Sequence, residues 1–468
     1  MREKPSETLR ENWSEEVTER PSGYDPLDGA KPLVEDRLGE RARVFGAERA
    51  ILAGIDAGAS ANVPIEESME ELASLADTAG ITVLAWSVQK RQRPVPATYL
   101  GKGKVDELGI SAAELEADVI IFNGDLSPAQ GRNLESRLNR KIIDRTQLIM
   151  DIFAQRAATK ESKIQVELAQ LRYLLPRLRG WGEALTRTGG GIGTRGPGET
   201  QLEIDRFKIT RRIHLLEKRL RKAQAERSVR RGKRERSGLP QVTLVGYTNS
   251  GKSTLLNRLC QSESMVEDKL FATLDTMVRR GEAGPGRVAL FVDTVGFIRD
   301  LPHDLVPAFA TTLEAARHAD LILHVIDRTH ASWERDEEVV LRILEEEVFE
   351  KGDRPPPILA IFNKVDLLEP EPICERGVAL SAKEGLHIDH LLGMIAEHVF
   401  PEERAVDLLV PFSALNALHE WTSPDRREGE VHTGKGLRVR VRVTSRELSA
   451  LHAAGAQVAG ADEEMTSG

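Results

Sequence analysis

The chain has 468 residues, enough for about three domains, with 40% hydrophobic and 30% charged residues and a formal net charge of −9. No apolar run approaches the ~20 residues of a membrane span, and the polar opening "MREKPSETLRENWSEEVTERPSG" has no apolar signal core, so neither insertion nor export is expected. Two cysteines, Cys260 and Cys374, lie far apart without metal-ligand spacing; a reducing, cytoplasmic setting is expected.

Residues 1–42 are polar and charged without periodicity and are expected to be a disordered tail. Ordered structure should begin with the apolar strand "ERAILAGIDAG" (48–58). Residues 66–80 follow with helical spacing, placing Met69, Leu72, Leu75 and Ala76 on one face. "ITVLAWSVQ" (81–89) and "ADVIIFNGDL" (117–126) are further strands, separated by the helical "GKVDELGISAAELE". Ser127 is a helix N-cap with Pro128 at the first helical position, and "KIID" opens another strand. This alternation predicts a small, mostly parallel α/β domain over 43–155.

Residues 156–238 read as a helical hairpin. "ESKIQVELAQLRYLLPRLRG" (161–180) places Ile164, Leu168, Leu171 and Leu175 on one side, and 205–236 places Ile209, Ile213, Leu216 and Leu220 similarly. The second helix carries fourteen Lys and Arg against four Asp and Glu, a basic arm that the acidic average conceals. Between the helices lies "TGGGIGTRGPGETQLE" (188–203), with a G-x-G-x-x-G match at Gly191, Gly193 and Gly196. A dinucleotide loop needs a strand entering and a helix leaving. "GWGEALTRT" shows no apolar alternation, so a pyrophosphate pocket is not expected. A connection this long is functional or a plain flexible linker.

After Pro240 the chemistry becomes explicit. "QVTLVGYTNSGKSTLLNRL" gives a strand, then Gly246-Tyr247-Thr248-Asn249-Ser250-Gly251-Lys252-Ser253, then a helix, which is the context a phosphate-binding loop demands. Backbone amides would approach the phosphates, Lys252 would reach the β- and γ-oxygens, and the Ser253 hydroxyl would ligate Mg²⁺. "RVALFVDTVGF" is a strand ending in Asp293-Thr294-Val295-Gly296. There Asp293 would steady the ion from behind its direct ligands, and the Gly296 amide would face the γ-phosphate. "PILAIFNKVDLL" closes another strand with Asn363-Lys364-Val365-Asp366. The Asp366 carboxylate can accept from guanine N1–H and the 2-amino group, a donor pair adenine lacks, and such a site discriminates by roughly 10⁴-fold. Ser381-Ala382-Lys383 supplies a loop for the base edge. Four motifs in order, each after an apolar strand, predict a GTPase domain over 239–402.

Between the first two motifs, Phe271-Ala272-Thr273-Leu274-Asp275 occupies the expected first switch, where Thr273 or Thr276 could ligate Mg²⁺. Phe297 follows Gly296 where a water-orienting glutamine often stands, and it cannot hydrogen-bond water; either slow intrinsic turnover is expected, or Phe297 packs in the core and another residue positions the water. Past residue 403 the chain reads as strand, helix, strand and strand, a small α+β appendage. Its strand "GLRVRVRV" has one basic face, and its tail after about 453 looks disordered. The fold expected overall is a multidomain α/β chain of N-terminal domain, hairpin, P-loop GTPase domain and appendage, and a monomer.

"GYTNSGKST", "LFATLD", "DTVGF" and "NKVD", with "YLGKGKVDEL", "RNLESRLNRKIIDRTQLIMDIFAQRAATKESKIQVELAQLRYLLPRL" and "GGGIGTRGPGETQLEIDR", resemble the HflX family of translational GTPases over roughly 48–450. The resemblance implies that Thr273, not Thr276, is the Mg²⁺-ligating switch residue; the family usually has proline at position 276. Lys252, Thr273 and Gly296 are then the candidates for catalysis. It also implies binding to the large ribosomal subunit, stimulation of GTP hydrolysis to GDP by the ribosome, and remodelling or splitting of ribosomes. The glycine-rich loop would reach ribosomal RNA through Gly190, Gly191, Arg195, Gly196 and Gly198, where bare backbone approaches phosphates closely and the basic helix adds a sequence-independent attraction. Two other readings stand beside this one: an RNA-binding assembly or storage factor using GTP as an affinity switch, and an added ATP-driven RNA-unwinding activity in the N-terminal domain.

Overall fold

The computed structural model describes residues 48–58, 63–180, 197–237, 239–261, 270–271, 274–284, 286–299, 310–349, 355–369, 376–400 and 404–459, all within one compact unit, 45–468. No helix among them is long and apolar enough to cross a membrane.

The first domain contains β1 (Arg49–Asp56), α1 (Ile65–Thr78), β2 (Thr82–Lys90), α2 (Lys102–Glu114), β3 (Val119–Phe122), α3 (Pro128–Leu138), β4 (Lys141–Asp144) and α4 (Arg145–Arg156). Its sheet is parallel throughout, in the order β2-β1-β3-β4. The apolar runs of β1 and β3 are buried on both faces, as a helix-covered parallel sheet requires. The start of α3 is fixed by a capping box: Gln130 N donates to Ser127 Oγ at 3.2 Å, and Ser127 N to Gln130 Oε1 at 2.8 Å. Two orphan amides are thereby satisfied, and Pro128 occupies a position whose missing N–H costs nothing.

α5 (Lys160–Leu174) and α6 (Pro197–Ser237) form the hairpin. At 1.5 Å per residue α6 extends roughly 60 Å. Two ion pairs tie the helices, Arg212 to Glu167 at 2.7 Å and Arg172 to Glu217 at 2.8 Å. Five residues turn a helix by roughly 140° relative to the interface, so these pairs flank the apolar seam on opposite sides. Ile209, Ile213 and Leu216 fill that seam from α6. The helix begins at Pro197 rather than near 205. Proline at the first helical position explains the earlier start, because its φ is already helical. Gly198, expected in the loop, therefore lies in the first turn of α6. Gly190, Gly191, Arg195 and Gly196 lie outside the described residues.

The central domain comprises β5 (Gln241–Gly246), α7 (Lys252–Leu259), β6 (Met277–Glu282), β7 (Val288–Asp293), α8 (Ala310–Arg317), β8 (Leu321–Asp327), α9 (Trp333–Ile343), β9 (Ile358–Asn363), β10 (Val378–Ala379) and α10 (Ile388–Val399). Its six-stranded sheet runs β10-β9-β8-β5-β7-β6, parallel except for β6. The strand ends at Gly246, Asp293 and Asn363 share one edge of the sheet, and ligands of such sheets bind beyond that carboxyl edge.

The appendage holds β11 (Arg404–Val410), α11 (Leu415–Trp421), β12 (Arg427–Thr433), β13 (Gly436–Val443), α12 (Ser445–Ala453) and β14 (Gln457–Val458). The sheet is antiparallel in the order β12-β13-β11-β14. In β13 Val439, Val441 and Val443 are buried while Arg440 and Arg442 face outward. Order continues past 453: Gly455 turns the chain at φ 104°, Ala456 is buried, and β14 pairs with Leu408 and Leu409. Residues 460–468 of the expected tail, and 1–47, lie outside the described residues.

Candidate nucleotide site

The loop between β5 and α7 is shaped by its glycines. Gly251 sits at φ 94°, a conformation that disfavours a side chain, and a Cβ there would strike the Asn363 amide. Lys252 opens α7 and is buried, donating through Nζ to Gly246 O at 3.1 Å and Tyr247 O at 2.6 Å. Burial pushes its ammonium down to about 8, against the pull of Asp293. Thr248 Oγ1 and Ser250 Oγ are buried without a hydrogen-bond partner among the described residues. Orphaned hydroxyls beside a helix N-terminus suit an anion with many acceptor oxygens. Asn249 continues the turn at φ 59°.

β7 delivers the second motif alongside, with Asp293 in register with Leu244. Asp293 is buried, and its Oδ2 accepts from Ser253 Oγ at 2.7 Å. Thr294 Oγ1 donates to Leu244 O at 2.6 Å, and Val295 is buried. The strand then clasps the phosphate loop: Phe297 N donates to Gly246 O at 3.0 Å and Thr248 N to Phe297 O at 2.8 Å. This clasp presses Gly296 so close that a Cβ there would lie 2.7 Å from Thr248 Cα and 3.1 Å from Lys252 Nζ. Ser253 and Asp293 offer hard oxygen donors with a single carboxylate. Mg²⁺ favours such a set, taking its remaining ligands from phosphates and water.

At the far end of the loop Asn363 is a strut. Its Nδ2 donates to Ser250 O at 2.8 Å, and its Oδ1 accepts from Ala382 N at 2.9 Å, joining the phosphate loop to the segment Ser381–Lys383. Lys364 takes φ 66° and pairs with Asp327 at 2.6 Å, while Val365 is buried. Ser381 is buried with its Oγ accepting from Glu384 N at 3.1 Å, and Lys383 presents its carbonyl to Arg258. The half-buried Asp366 carboxylate has no hydrogen-bond partner among the described residues, so both oxygens are available to a base.

The first-switch residues part company. Ala272 and Thr273 lie outside the described residues. Phe271 is buried edge-on to Phe153 of α4, with ring centroids 4.7 Å apart, and Leu274 is buried. Asp275 accepts hydrogen bonds from Ala158 and Thr159 at the start of α5. The side chains of Phe271 and Asp275 are thus engaged by the N-terminal half rather than by the phosphate loop. Tyr247 belongs to the expected phosphate loop, but its contacts with the N-terminal domain are not encoded in the motif. The Tyr247 phenol donates to Glu71 of α1, and Arg299 is paired with Glu67 of α1 and Asp336 of α9. Burial and the Glu71 carboxylate hold that phenol above its ordinary range, so it remains a donor. The only local signal was an aromatic residue inside a loop whose pattern leaves that position open.

A phosphate loop opening a helix, a buried carboxylate beside its serine, and an Asn strut joining that loop to Ser381–Lys383 define a P-loop GTPase. The particular branch follows from its relatives. Residues 66–154, 156–234 and 241–364 match the family models described as GTP-binding GTPase N-terminal, GTP-binding GTPase Middle Region and 50S ribosome-binding GTPase. The GTPase HflX of Caldanaerobacter subterraneus subsp. tengcongensis is 44% identical over 415 residues, covering 88% of this chain and 95% of that one. That of Alkalihalophilus pseudofirmus is 52% identical over 64% of this chain and 70% of its own. That of Escherichia coli is 43% identical over 77% and 88%. A GTP-binding protein from Sulfolobus solfataricus solved with GDP aligns over 75% of this chain and 98% of its own, at 25% identity and a TM-score of 0.41. The chain belongs to the HflX family of GTPases.

Proposed function

We propose that this chain is a Mg²⁺-dependent GTPase that binds the large ribosomal subunit and remodels or splits ribosomes, with the ribosome stimulating its turnover. The observation that carries the reading is Phe297. It follows Gly296 directly, is 3% exposed, and offers no group to orient a water molecule. Turnover by the isolated chain is then slow, and acceleration requires a surface that rearranges the switches. The family model matched by residues 241–364 is described as ribosome-binding, which supports a ribosomal surface.

Within this reading Lys252 neutralises charge at the β- and γ-phosphates, and the Gly296 amide donates to the γ-phosphate. Ser253 and Thr273 would hold Mg²⁺, with Asp293 behind them; the ion supplies charge neutralisation between the phosphates. Asp366 accepts from guanine, with Asn363 keeping the base end fixed to the phosphate loop. Along α6 the basic side chains give an attraction to RNA phosphates that salt weakens. Gly190, Gly191, Arg195, Gly196 and Gly198 form the proposed RNA-facing tip.

Steady-state release of phosphate, measured with and without isolated large subunits, tests this. A strong rise with subunits that fades as salt is added supports the reading. Binding to subunits without turnover in either condition would instead mark an assembly or storage factor using GTP as an affinity switch.

A further inference from the structure

Tyr247 is tied to the N-terminal domain by its side chain and to the phosphate-binding lysine by its main chain. Its phenol donates to Glu71 on α1 and accepts from the Arg299 backbone N–H at 2.9 Å, while its carbonyl accepts from Lys252 Nζ at 2.6 Å. Arg299 lies three residues past Gly296. Its guanidinium is held by Glu67 of α1 and by Asp336 at 2.6 Å. Arg145, the first residue of α4, closes the cluster by pairing with Glu71 at 2.5 Å and donating to the Arg299 carbonyl at 3.3 Å. Arg145, Arg299 and Asp336 are all buried. Bonds in such a place are not readily replaced by water, so loss of one member disturbs the others.

An ammonium has three donors. Two of those on Lys252 are fixed by the Gly246 and Tyr247 carbonyls, and these two aim the third. The hydrogen bond from the Arg299 backbone N–H meanwhile fixes the segment after β7 that carries Gly296 against the same loop. We propose that Tyr247 is a positioning residue through which the N-terminal domain sets how tightly the site holds a γ-phosphate. The Glu71 bond fixes the carbonyl that aims Lys252, and the Arg299 bond fixes the backbone that presents Gly296. Loop amides meet the β-phosphate in both nucleotides, whereas Gly296 serves the γ-phosphate alone, so loosening Tyr247 weakens GTP more than GDP. By linkage, GTP tightens the seating of α1 on the phosphate loop by the same factor. This inference rests on the GTPase site alone and stands apart from any ribosomal role.

The test measures affinities of the full chain for a non-hydrolysable GTP analogue and for GDP. It compares Tyr247→Phe, which removes one oxygen, with Glu71→Met, which removes the acceptor of that bond in the other domain at similar length, and with the double variant. The preference for the GTP analogue should fall about fivefold in each single variant, within the ordinary range of coupling between sites. It should fall no further in the double variant than in Tyr247→Phe, which already removes the bond to Glu71. If Glu71→Met does not fold, Glu71→Asp, which withdraws the oxygens by one methylene, takes its place. An unchanged preference, equal weakening of both nucleotides as simple destabilisation gives, or a double variant showing the product of the singles would each overturn the proposal.

Discussion

Asp275 caps a helix that begins more than a hundred residues before it. Its Oδ2 accepts from the backbone N–H groups of Ala158 at 2.9 Å and Thr159 at 3.0 Å, and its Oδ1 from the Thr159 hydroxyl at 2.6 Å. Thr159 in turn accepts from Ser162 N at 3.1 Å, so α5 starts on two stacked caps, one local and one from the first-switch segment. Partial burial raises the Asp275 pKa, but the hydrogen bonds from Thr159 and Ala158 outweigh it and hold the carboxyl below its ordinary value.

Removing the distant cap should loosen the start of α5. Asp275→Ala leaves two amides and a hydroxyl without their acceptor and should cost about 1–2 kcal/mol, the usual range for a lost cap. Asp275→Asn keeps one accepting oxygen and should cost less. Amide hydrogen exchange of residues 158–163 is the measurement; protection unchanged in the alanine variant would show the contact to be incidental.

Asp151 makes a different prediction. It is buried in α4, its Oδ2 has no hydrogen-bond partner among the described residues, and burial pushes its carboxyl up to about 8. Lys141 opposes that shift, while Glu48 and Asp144 add to it. Because the folded pKa is raised, stability from this group is fully present below the ordinary value of 3.8 and declines as pH rises through about 8. Asp151→Asn, neutral at every pH, should therefore flatten the fall of the thermal midpoint between pH 5 and pH 8.5 and raise it at the upper end. Asp144, also shifted up by burial, leaves some slope behind. A variant as pH-dependent as the parent chain would contradict the assignment.

What could be read in advance follows from how far apart the interacting residues lie in sequence. The phosphate loop, the Asp293 strand end and the Asn363–Asp366 segment are each carried by contiguous residues flanked by apolar strands, so pattern alone places them. Ser127 and Pro128 announce α3 for the same reason. The Tyr247–Glu71, Arg299–Glu67 and Asp275–Thr159 contacts join residues over a hundred apart or more, and no period or propensity encodes them. β14 is two residues long, too short to show alternation, and owes its place to pairing with β11. The start of α6 was obscured by the glycines around it, although Pro197 marked it.

Base choice should reside in Asp366. Asp366→Asn keeps the shape but replaces two accepting oxygens by one, and it adds a donor that faces guanine donors. GTP preference should collapse, by up to roughly 10⁴-fold if the buried base finds no other partner. Xanthosine triphosphate, which presents an acceptor in place of the 2-amino group, should be used better than by the parent chain. Competition binding with the two triphosphates decides it, and retained guanine selectivity would remove Asp366 from the role.

The glycine-rich segment supplies the last prediction. The G-x-G-x-x-G match at Gly191, Gly193 and Gly196 lies in 188–199, far in sequence from the phosphate loop at 246–253. The Lys252, Asp293 and Asn363 contacts described above are made without it. Replacing 188–196 by a short Gly/Ser connector, and leaving α6 from Pro197 onward intact, should therefore preserve GTP affinity. If the segment contacts RNA, stimulation of hydrolysis by large subunits should drop sharply, because the tip can no longer order against its target. Binding to the subunit should weaken less, since the basic side chains of α6 still attract phosphates in a salt-dependent way. Phosphate release with and without subunits, alongside nucleotide affinity, separates the outcomes. Loss of GTP affinity with ribosome stimulation retained would mean that these glycines serve a nucleotide after all.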